Sequence, residues 1–95
     1  MNQASTRATV DCNGLVVRVG TRVRVIAVPE SVLARLEPEE RQRVETMLGE
    51  SFEVYEVDEW GGAWVQKWWH EADDKSMSHS LGLRPDEMLV ATADV

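Results

Sequence analysis

Hydrophobic and polar residues alternate on both sides of the Gly61–Gly62 pair, in a stretch from Phe52 to His70 that holds all six aromatic residues of the chain. Two runs rich in Val, Tyr and Trp on either side of a glycine pair predict a β-hairpin. Glycine adopts the positive φ angles of a two-residue turn at little cost, which other residues do not. The pattern therefore places the turn at the two glycines, with one strand on each side.

With the glycines at the centre of the turn, the predicted register pairs Glu56 with Lys67 and Val54 with Trp69. Large hydrophobic side chains then lie on both faces of the hairpin, because side chains alternate between faces along a strand. Such a hairpin predicts a small, strongly curved barrel with an inner core and a partly covered outer face. The face opposite Val54 and Trp69 is predicted to carry Tyr55, Val57, Trp64 and Trp68.

A second alternating pattern precedes the hairpin. Val23, Val25 and Ala27 alternate with Arg22 and Arg24, which predicts a strand whose hydrophobic residues point to the core and whose arginines point to solvent. Pro29 ends this strand because proline has no N–H to donate to a sheet.

The segment 30–49 is the one part of the chain with helical periodicity. Pro38 suits the first position of a helix, and Gly49 suits the left-handed position that follows the last turn. Val44, Met47 and Leu48 lie at i, i+3 and i+4 on one side of this helix and predict the face that packs on the barrel. The sequence thus predicts a helical insertion between the first strand and the hairpin.

The last quarter of the chain predicts shorter elements. Residues 71–80 are polar and predict a loop, and residues 81–83 predict a short strand. Residues 84–87 predict a turn with Pro85 at its first central position, and residues 88–91 predict the closing strand.

Together these elements predict one mainly β domain, a five-stranded barrel with one helical insertion. The predicted barrel covers residues 14–92. Residues 1–13 are small and polar without periodicity and predict a disordered N-terminal tail, and residues 93–95 predict a short C-terminal tail.

Cysteine content and hydrophobic run length bear on the compartment. The single cysteine, Cys12, excludes an intramolecular disulfide and favours a reducing, cytoplasmic setting. Residues 1–10 lack the apolar region of a signal peptide, and no apolar run approaches the roughly 18–20 residues of a membrane span. The sequence therefore predicts a cytoplasmic protein that does not enter the membrane.

The net charge of −7 is unevenly distributed. Residues 1–43 carry seven arginines and five acidic residues, whereas residues 44–95 carry three basic and twelve acidic residues. An acidic body disfavours sequence-independent nucleic-acid binding, which depends on Lys and Arg at phosphates. Arg18, Arg22 and Arg24 form either a local basic strip or the solvated face of a strand.

The order of elements resembles an SH3-like barrel. The helical insertion occupies the place of the long first loop, the Trp-rich hairpin that of the central meander, and RPDE that of the one-turn helix before the closing strand. The stretch LVVRVGTRVRVI also resembles the opening strand of SH3-like modules in bacterial proteins, among them KOW-type modules and the β subunit of nitrile hydratase. The pair Trp68–Trp69 resembles the paired tryptophans of eukaryotic SH3 domains, the first of which lines a groove for proline-rich peptides. The whole chain resembles a small stand-alone bacterial protein.

The aromatic residues of the hairpin have two interpretations. They complete the core of a small barrel, or they form an aromatic ledge with an acidic rim that binds a peptide by stacking and cation–π contacts. Trp60 is the strongest candidate for a contact residue because it adjoins the glycine turn, where a core residue is least expected. The predicted binding residues are Tyr55, Asp58, Glu59, Trp60, Trp64 and Trp68.

The sequence predicts no metal site and no catalytic centre. His70 and His79 lie nine residues apart, and with Cys12 and Asp73–Asp74 they match no known ligand spacing. The serines around His79 alternate with it along the chain, so they do not form a nucleophile with its base and acid. We therefore expect a protein that is not an enzyme and has no cofactor.

The leading hypothesis is a protein- or peptide-interaction module that uses the outer face of the hairpin and the segment 70–80. An alternative is a nucleic-acid- or ribosome-associated barrel that uses Arg18, Arg22 and Arg24 with aromatic stacking. A further alternative is an accessory subunit of an enzyme complex. An exposed aromatic face is also compatible with a homodimer.

Overall fold

The computed structural model describes residues 7–72 and 75–91. Within these residues the fold is mainly β, with two short α-helices. The helices are α1 (Glu30–Leu33) and α2 (Pro38–Glu45), and a one-turn 3-10 helix covers Pro85–Glu87. The strands are β1 (Ala8–Val10), β2 (Val16–Arg18), β3 (Arg22–Val25), β4 (Ser51–Glu53), β5 (Glu56–Val57), β6 (Ala63–Ala72), β7 (Lys75–Leu83) and β8 (Met88–Val90).

The described strands form three small antiparallel sheets. Strands β1 and β2 form a hairpin, β4-β3-β8 form the second sheet, and β5-β6-β7 form the third. The mainly β prediction is confirmed, but the predicted closed barrel of five strands is not found among the described residues. The sheets separate where the chain passes from Val54 to Tyr55. Val54, just after β4, exchanges backbone hydrogen bonds with Gly20 and Thr21, whereas the Tyr55 N–H donates to the carbonyl of Trp64 in the third sheet.

The predicted N-terminal tail was wrong for residues 8–13. Ala8–Val10 pairs with Val16–Arg18, and the turn between these strands is closed by the carboxylate of Asp11. Asp11 is only 2% exposed. The tail prediction failed because this segment lacks hydrophobic periodicity and is ordered by a polar side chain. Residues 1–6 and the predicted tail 93–95 lie outside the described residues.

The predicted register of the central hairpin was also wrong. The structure pairs Glu56 with Trp64 and Val57 with Ala63, so the connection is a five-residue loop, residues 58–62. Only Gly61 of the two glycines has a positive φ, +84°. A two-residue turn of the primed type I needs positive φ at both central positions, which this backbone does not have.

The corrected register changes the faces of the hairpin. Val57 is 3% exposed and belongs to the core, not to the face that carries Trp64 and Trp68. Lys67 does not pair with Glu56; its Nζ lies 2.6 Å from Glu50 Oε1.

The segment 71–80, predicted as a loop, continues the two long strands. Strand β6 extends to Ala72 and β7 begins at Lys75, with a register shift between His70 and Ala72. The serines of this segment have low strand propensity, but each pairs with a residue of β6, such as Ser78 with Trp68. Tertiary pairing therefore overrides the polar composition.

The helical insertion follows the prediction more closely. Helix α2 begins at Pro38, Val44 and Met47 are fully buried, and Gly49 has a φ of +84°. Leu48 was predicted on the same buried face but is 40% exposed, because α2 ends at Glu45 and the helical spacing does not continue to this residue. No helix of the described residues is long and apolar enough to span a membrane.

The core lies between the second and third sheets and is closed by the helical insertion. Its members come from every part of the fold, so the described chain packs around one core. The alternation predicted for β3 is confirmed from Arg22 to Val25, because Val23 and Val25 are fully buried and Arg22 and Arg24 are exposed. Beyond Val25 the prediction was wrong: the strand ends there and not at Pro29, and Ala27 is exposed because it lies outside the strand.

Candidate interaction surface

The carboxylate of Asp58 determines the conformation of the hairpin loop. Its Oδ1 accepts hydrogen bonds from the backbone N–H groups of Trp60 at 2.9 Å and Gly62 at 2.7 Å. Its Oδ2 accepts one from the indole Nε1 of Trp64 at 2.9 Å. The Asp58 N–H in turn donates to the Gly62 carbonyl at 2.9 Å. One side chain thus accepts hydrogen bonds from two backbone donors of a tight loop and fixes the indole of Trp64, the second residue of β6.

These contacts set the charge state of Asp58. The hydrogen bond from Trp64 and those from the backbone of Gly62 and Trp60 stabilise the carboxylate and lower the pKa of Asp58 below its usual value, while partial burial acts in the opposite direction. The loop therefore carries a negative charge near neutral pH.

The indole of Trp64 packs closely against Gly82 of the neighbouring strand. The two residues pair in the β6–β7 ladder, and a Cβ on Gly82 would lie 2.8 Å from Cε2 and Cζ2 of the indole. That separation is shorter than a carbon–carbon contact permits, so only glycine fits at position 82 while Trp64 holds this orientation.

Trp60 lies at the tip of the Asp58 loop and is 83% exposed, the largest exposure among the large hydrophobic residues described. This exposure agrees with its place beside the glycine turn, and its role as a contact residue stays a prediction. Its backbone is held by Asp58, so the indole projects from an ordered loop.

A groove of about 400 Å³ lies beside Trp60. It is lined by residues 79–82 of β7, by Trp60 and Trp64 of the hairpin and by Val32 of α1. A second groove of about 280 Å³ continues from it between α1 and the end of β7, and the two share Val32, Leu81, Gly82 and Arg84. We call the two together the Trp60 groove.

Tyr55 and Trp68 line a separate groove of about 380 Å³ on the same hairpin. Their side chains are 47% and 56% exposed. Val19, between β2 and β3, and Gln66 of β6 complete its walls.

The structure therefore divides the predicted site residues into two groups. Asp58, Trp60 and Trp64 come together at the Trp60 groove, and Tyr55 and Trp68 lie at the second groove. Glu59 is exposed on the loop and lines neither groove.

Sequence reasoning missed the contribution of α1 and β7. Val32, Gly82 and Arg84 line both parts of the Trp60 groove, yet they lie far from the aromatic hairpin in sequence. The available signal was the alternation of Ser76, Ser78, Ser80 and Gly82, which marks one face of a strand with small side chains.

The arginines of β3 are engaged with the backbone of the neighbouring segment. Arg24 Nη1 donates to the Gly49 carbonyl at 2.8 Å, and Arg22 Nη2 donates to the Ser51 carbonyl at 3.4 Å. These contacts give both side chains a structural role at the outer face of the second sheet.

Within the described residues, no group of three or more His, Cys, Asp or Glu side chains is arranged to hold a metal ion. Cys12 is a free, exposed thiol. Asp73 and Asp74 lie outside the described residues.

Comparison of the chain with protein-family models, with curated proteins and with solved structures gives no match.

Proposed function

We propose that this chain is a protein-interaction module of SH3-like architecture, which binds an extended segment of a partner protein in the Trp60 groove. Three features of the element order support the architecture. The helices fill the connection between β3 and β4, the long hairpin follows, and a 3-10 turn leads into β8, which pairs with β3.

The exposure of Trp60 on an ordered loop is the observation that carries the proposal. An indole buries more apolar area than most side chains when it is covered, so leaving it 83% exposed forgoes that stabilisation. Tryptophans in such positions are enriched among the residues that dominate protein–protein binding energy. The loop presents the ring with its backbone already fixed, which reduces the entropy lost on binding.

The charge of the protein indicates the chemistry of the partner. The net charge is −7, and Asp58 and Glu59 adjoin Trp60 on the loop. Lysine and arginine side chains stack on indole faces and are attracted to nearby carboxylates. We therefore expect the bound segment to combine basic residues with flat or apolar ones, proline included.

The experiment selects peptides from a random display library with the wild-type protein and measures their affinity for Trp60→Ala. Loss of a central aromatic contact is expected to weaken binding by roughly tenfold or more. Leu48→Ala is the matched control, because Leu48 is also exposed, at 40%, but lies outside both grooves. Selected peptides that bind Trp60→Ala as tightly as wild type, or a library that yields no binders, would contradict the proposal.

A further inference from the structure

Strand β7 is the outer strand of the third sheet. The sheet has the order β5-β6-β7, and no described residue donates or accepts a backbone hydrogen bond on the far side of β7. Nine residues long, β7 thus presents a row of backbone groups that are open to pairing.

The backbone groups that face this open edge follow from the ladder. Trp64 accepts from Tyr55, so its backbone groups point toward β5, and those of Val65 and Lys67 point toward β7. Val65 pairs with Leu81 and Lys67 with His79. The intervening residues of β7 therefore direct their N–H and C=O groups away from β6: these are Ser76, Ser78, Ser80 and Gly82.

Apart from Lys75 at its first position, β7 lacks the usual protection of an edge strand. Natural edges carry lysine, proline or a bulge that prevents pairing with another chain. Residues 76–83 contain no charged residue and no proline, and they form the longest uncharged run in a chain that is 28% charged. The register shift of the ladder lies beyond Ser76, at His70/Ala72.

The open edge also lines the Trp60 groove. Ser80, Leu81 and Gly82 line this groove together with Trp60 of the hairpin loop and Val32 of α1. A chain that pairs with β7 would direct alternate side chains to the two faces of the sheet, and we expect Trp60 and Val32 to contact them.

We propose that the partner segment binds by strand addition, as an extended peptide hydrogen-bonded to the outer edge of β7 at Ser78, Ser80 and Gly82. This inference rests on the proposed function and specifies its mode of binding. Main-chain hydrogen bonds would supply affinity, and side-chain contacts with Trp60 and Val32 would supply specificity. Residues on the Trp60 side are basic or flat, and residues on the Val32 side are small and apolar.

The net charge of this protein favours a partner protein, and not a second copy of this chain, as the source of the segment that pairs with β7. Each copy carries a net charge of −7, so two copies repel one another, whereas a basic segment is attracted.

The test follows amide hydrogen exchange by NMR in the full chain. In the free protein the amides of Ser78, Ser80 and Gly82 are expected to exchange quickly, while those of His79 and Leu81, bonded to β6, exchange slowly. The probe is a synthetic nonapeptide of alternating lysine and valine, compared with one of alternating glutamate and valine. The basic peptide is expected to slow exchange at the three outward amides, and the acidic one to leave it unchanged.

One substitution at Ser80 then removes a single hydrogen bond, and a second serves as its control. Ser80→Pro deletes an outward N–H, which an edge strand tolerates, and is expected to weaken the basic peptide roughly tenfold. Ser80→Ala keeps the N–H and is expected to bind within about twofold of wild type. If Ser80→Pro does not fold, the same peptide with N-methyl groups on its pairing edge tests the same bonds and is expected to lose binding.

Each outcome is decisive. If neither peptide changes amide exchange at Ser78, Ser80 and Gly82, strand addition is wrong. The proposed function still stands in that case if Trp60→Ala no longer binds the library peptides. Equal binding of the N-methylated and parent peptides also overturns it. Protection that grows with protein concentration alone would assign the edge to a second copy and overturn the partner segment. If the library yields no binders and the three amides stay unprotected, both the proposed function and the proposed mode of binding are wrong.

Discussion

The indole Nε1 of Trp64 donates a hydrogen bond to Oδ2 of Asp58 at 2.9 Å and so ties the first turn of the hairpin loop to strand β6. The same carboxylate accepts from the backbone of Trp60 and Gly62. Asp58 therefore links the backbone of Trp60, whose ring is exposed, to the ring of Trp64, which lines the same groove.

Replacing Asp58 tests this link directly. Asp58→Ala leaves three donors without their acceptor and is expected to lower the free energy of unfolding by about 2 kcal/mol. Asp58→Asn keeps one oxygen for the two backbone donors but turns an amide toward the indole, so a smaller loss, of about 1 kcal/mol, is expected. Urea denaturation at pH 7 measures both changes. Glu59→Ala, on the same loop, is the control and should change little; equal stability of Asp58→Ala and Glu59→Ala would contradict the assigned role.

The lowered pKa of Asp58 makes part of the stability depend on pH. A carboxyl whose pKa is lower in the folded state binds protons more weakly there than in the unfolded chain. Its contribution is complete above the unfolded pKa of about 3.9 and is lost as the pH falls toward and through the lower folded value. The difference in unfolding free energy between wild type and Asp58→Asn is therefore expected to shrink as the pH falls below about 4. A difference that stays constant from pH 7 to pH 2 would show that the carboxylate charge is not involved.

Gly82 is expected to be intolerant of any side chain. A Cβ at this position would lie 2.8 Å from the indole of Trp64, so Gly82→Ala must displace the ring and with it the bond to Asp58. Overpacking of this kind costs about 1–3 kcal/mol. Ser80→Ala, two residues away on the same face, is the matched control. Thermal denaturation gives the stability, and a red shift of tryptophan emission would report the displaced indole; unchanged values for both would contradict the close contact.

Patterns that depend on burial could be predicted from the sequence. Val23 and Val25 are buried between exposed arginines, and Val44 of α2 and Met47 just after it are buried. Hydrophobic side chains that recur at strand or helix spacing share one face, and that face packs on the core. The 3-10 turn at Pro85 follows from the fixed φ angle of proline. Trp60 was predicted to lie outside the core from its place beside the glycines.

Features that depend on a single polar side chain, or on contacts between segments distant in sequence, could not be predicted in this way. The register of the hairpin depends on Asp58, which replaces a backbone acceptor and lengthens the loop to five residues. The strand at residues 75–80 depends on pairing with β6, which outweighs the weak strand propensity of serine. The contacts of α1 with the Trp60 groove depend on the packing of segments that are distant in sequence.

Asp11 is the second polar side chain that organises the fold, and its replacement is expected to separate the N-terminal hairpin from the body. Its Oδ1 accepts from the backbone of Asn13 and Leu15, and its Oδ2 accepts from the Val90 N–H at 2.7 Å, 79 residues away. Burial acts to raise the pKa of Asp11, but these backbone donors outweigh it and lower that pKa. The Cys12 N–H bonds to the Met88 carbonyl, so residues 11 and 12 together cover the outer edge of β8.

Asp11→Ala uncovers this edge and leaves three backbone donors without an acceptor, so a loss of about 2–3 kcal/mol in the free energy of unfolding is expected. Asp86→Ala, at an exposed acidic residue beside the same strand, is the control and should stay within about 0.5 kcal/mol of wild type. Hydrogen exchange adds a local readout, because the Val90 amide should lose protection while the amides of β6 and β7 that bond to each other keep theirs. Protection of Val90 that survives in Asp11→Ala would mean that another group covers the edge of β8, and the closing role of Asp11 would be wrong.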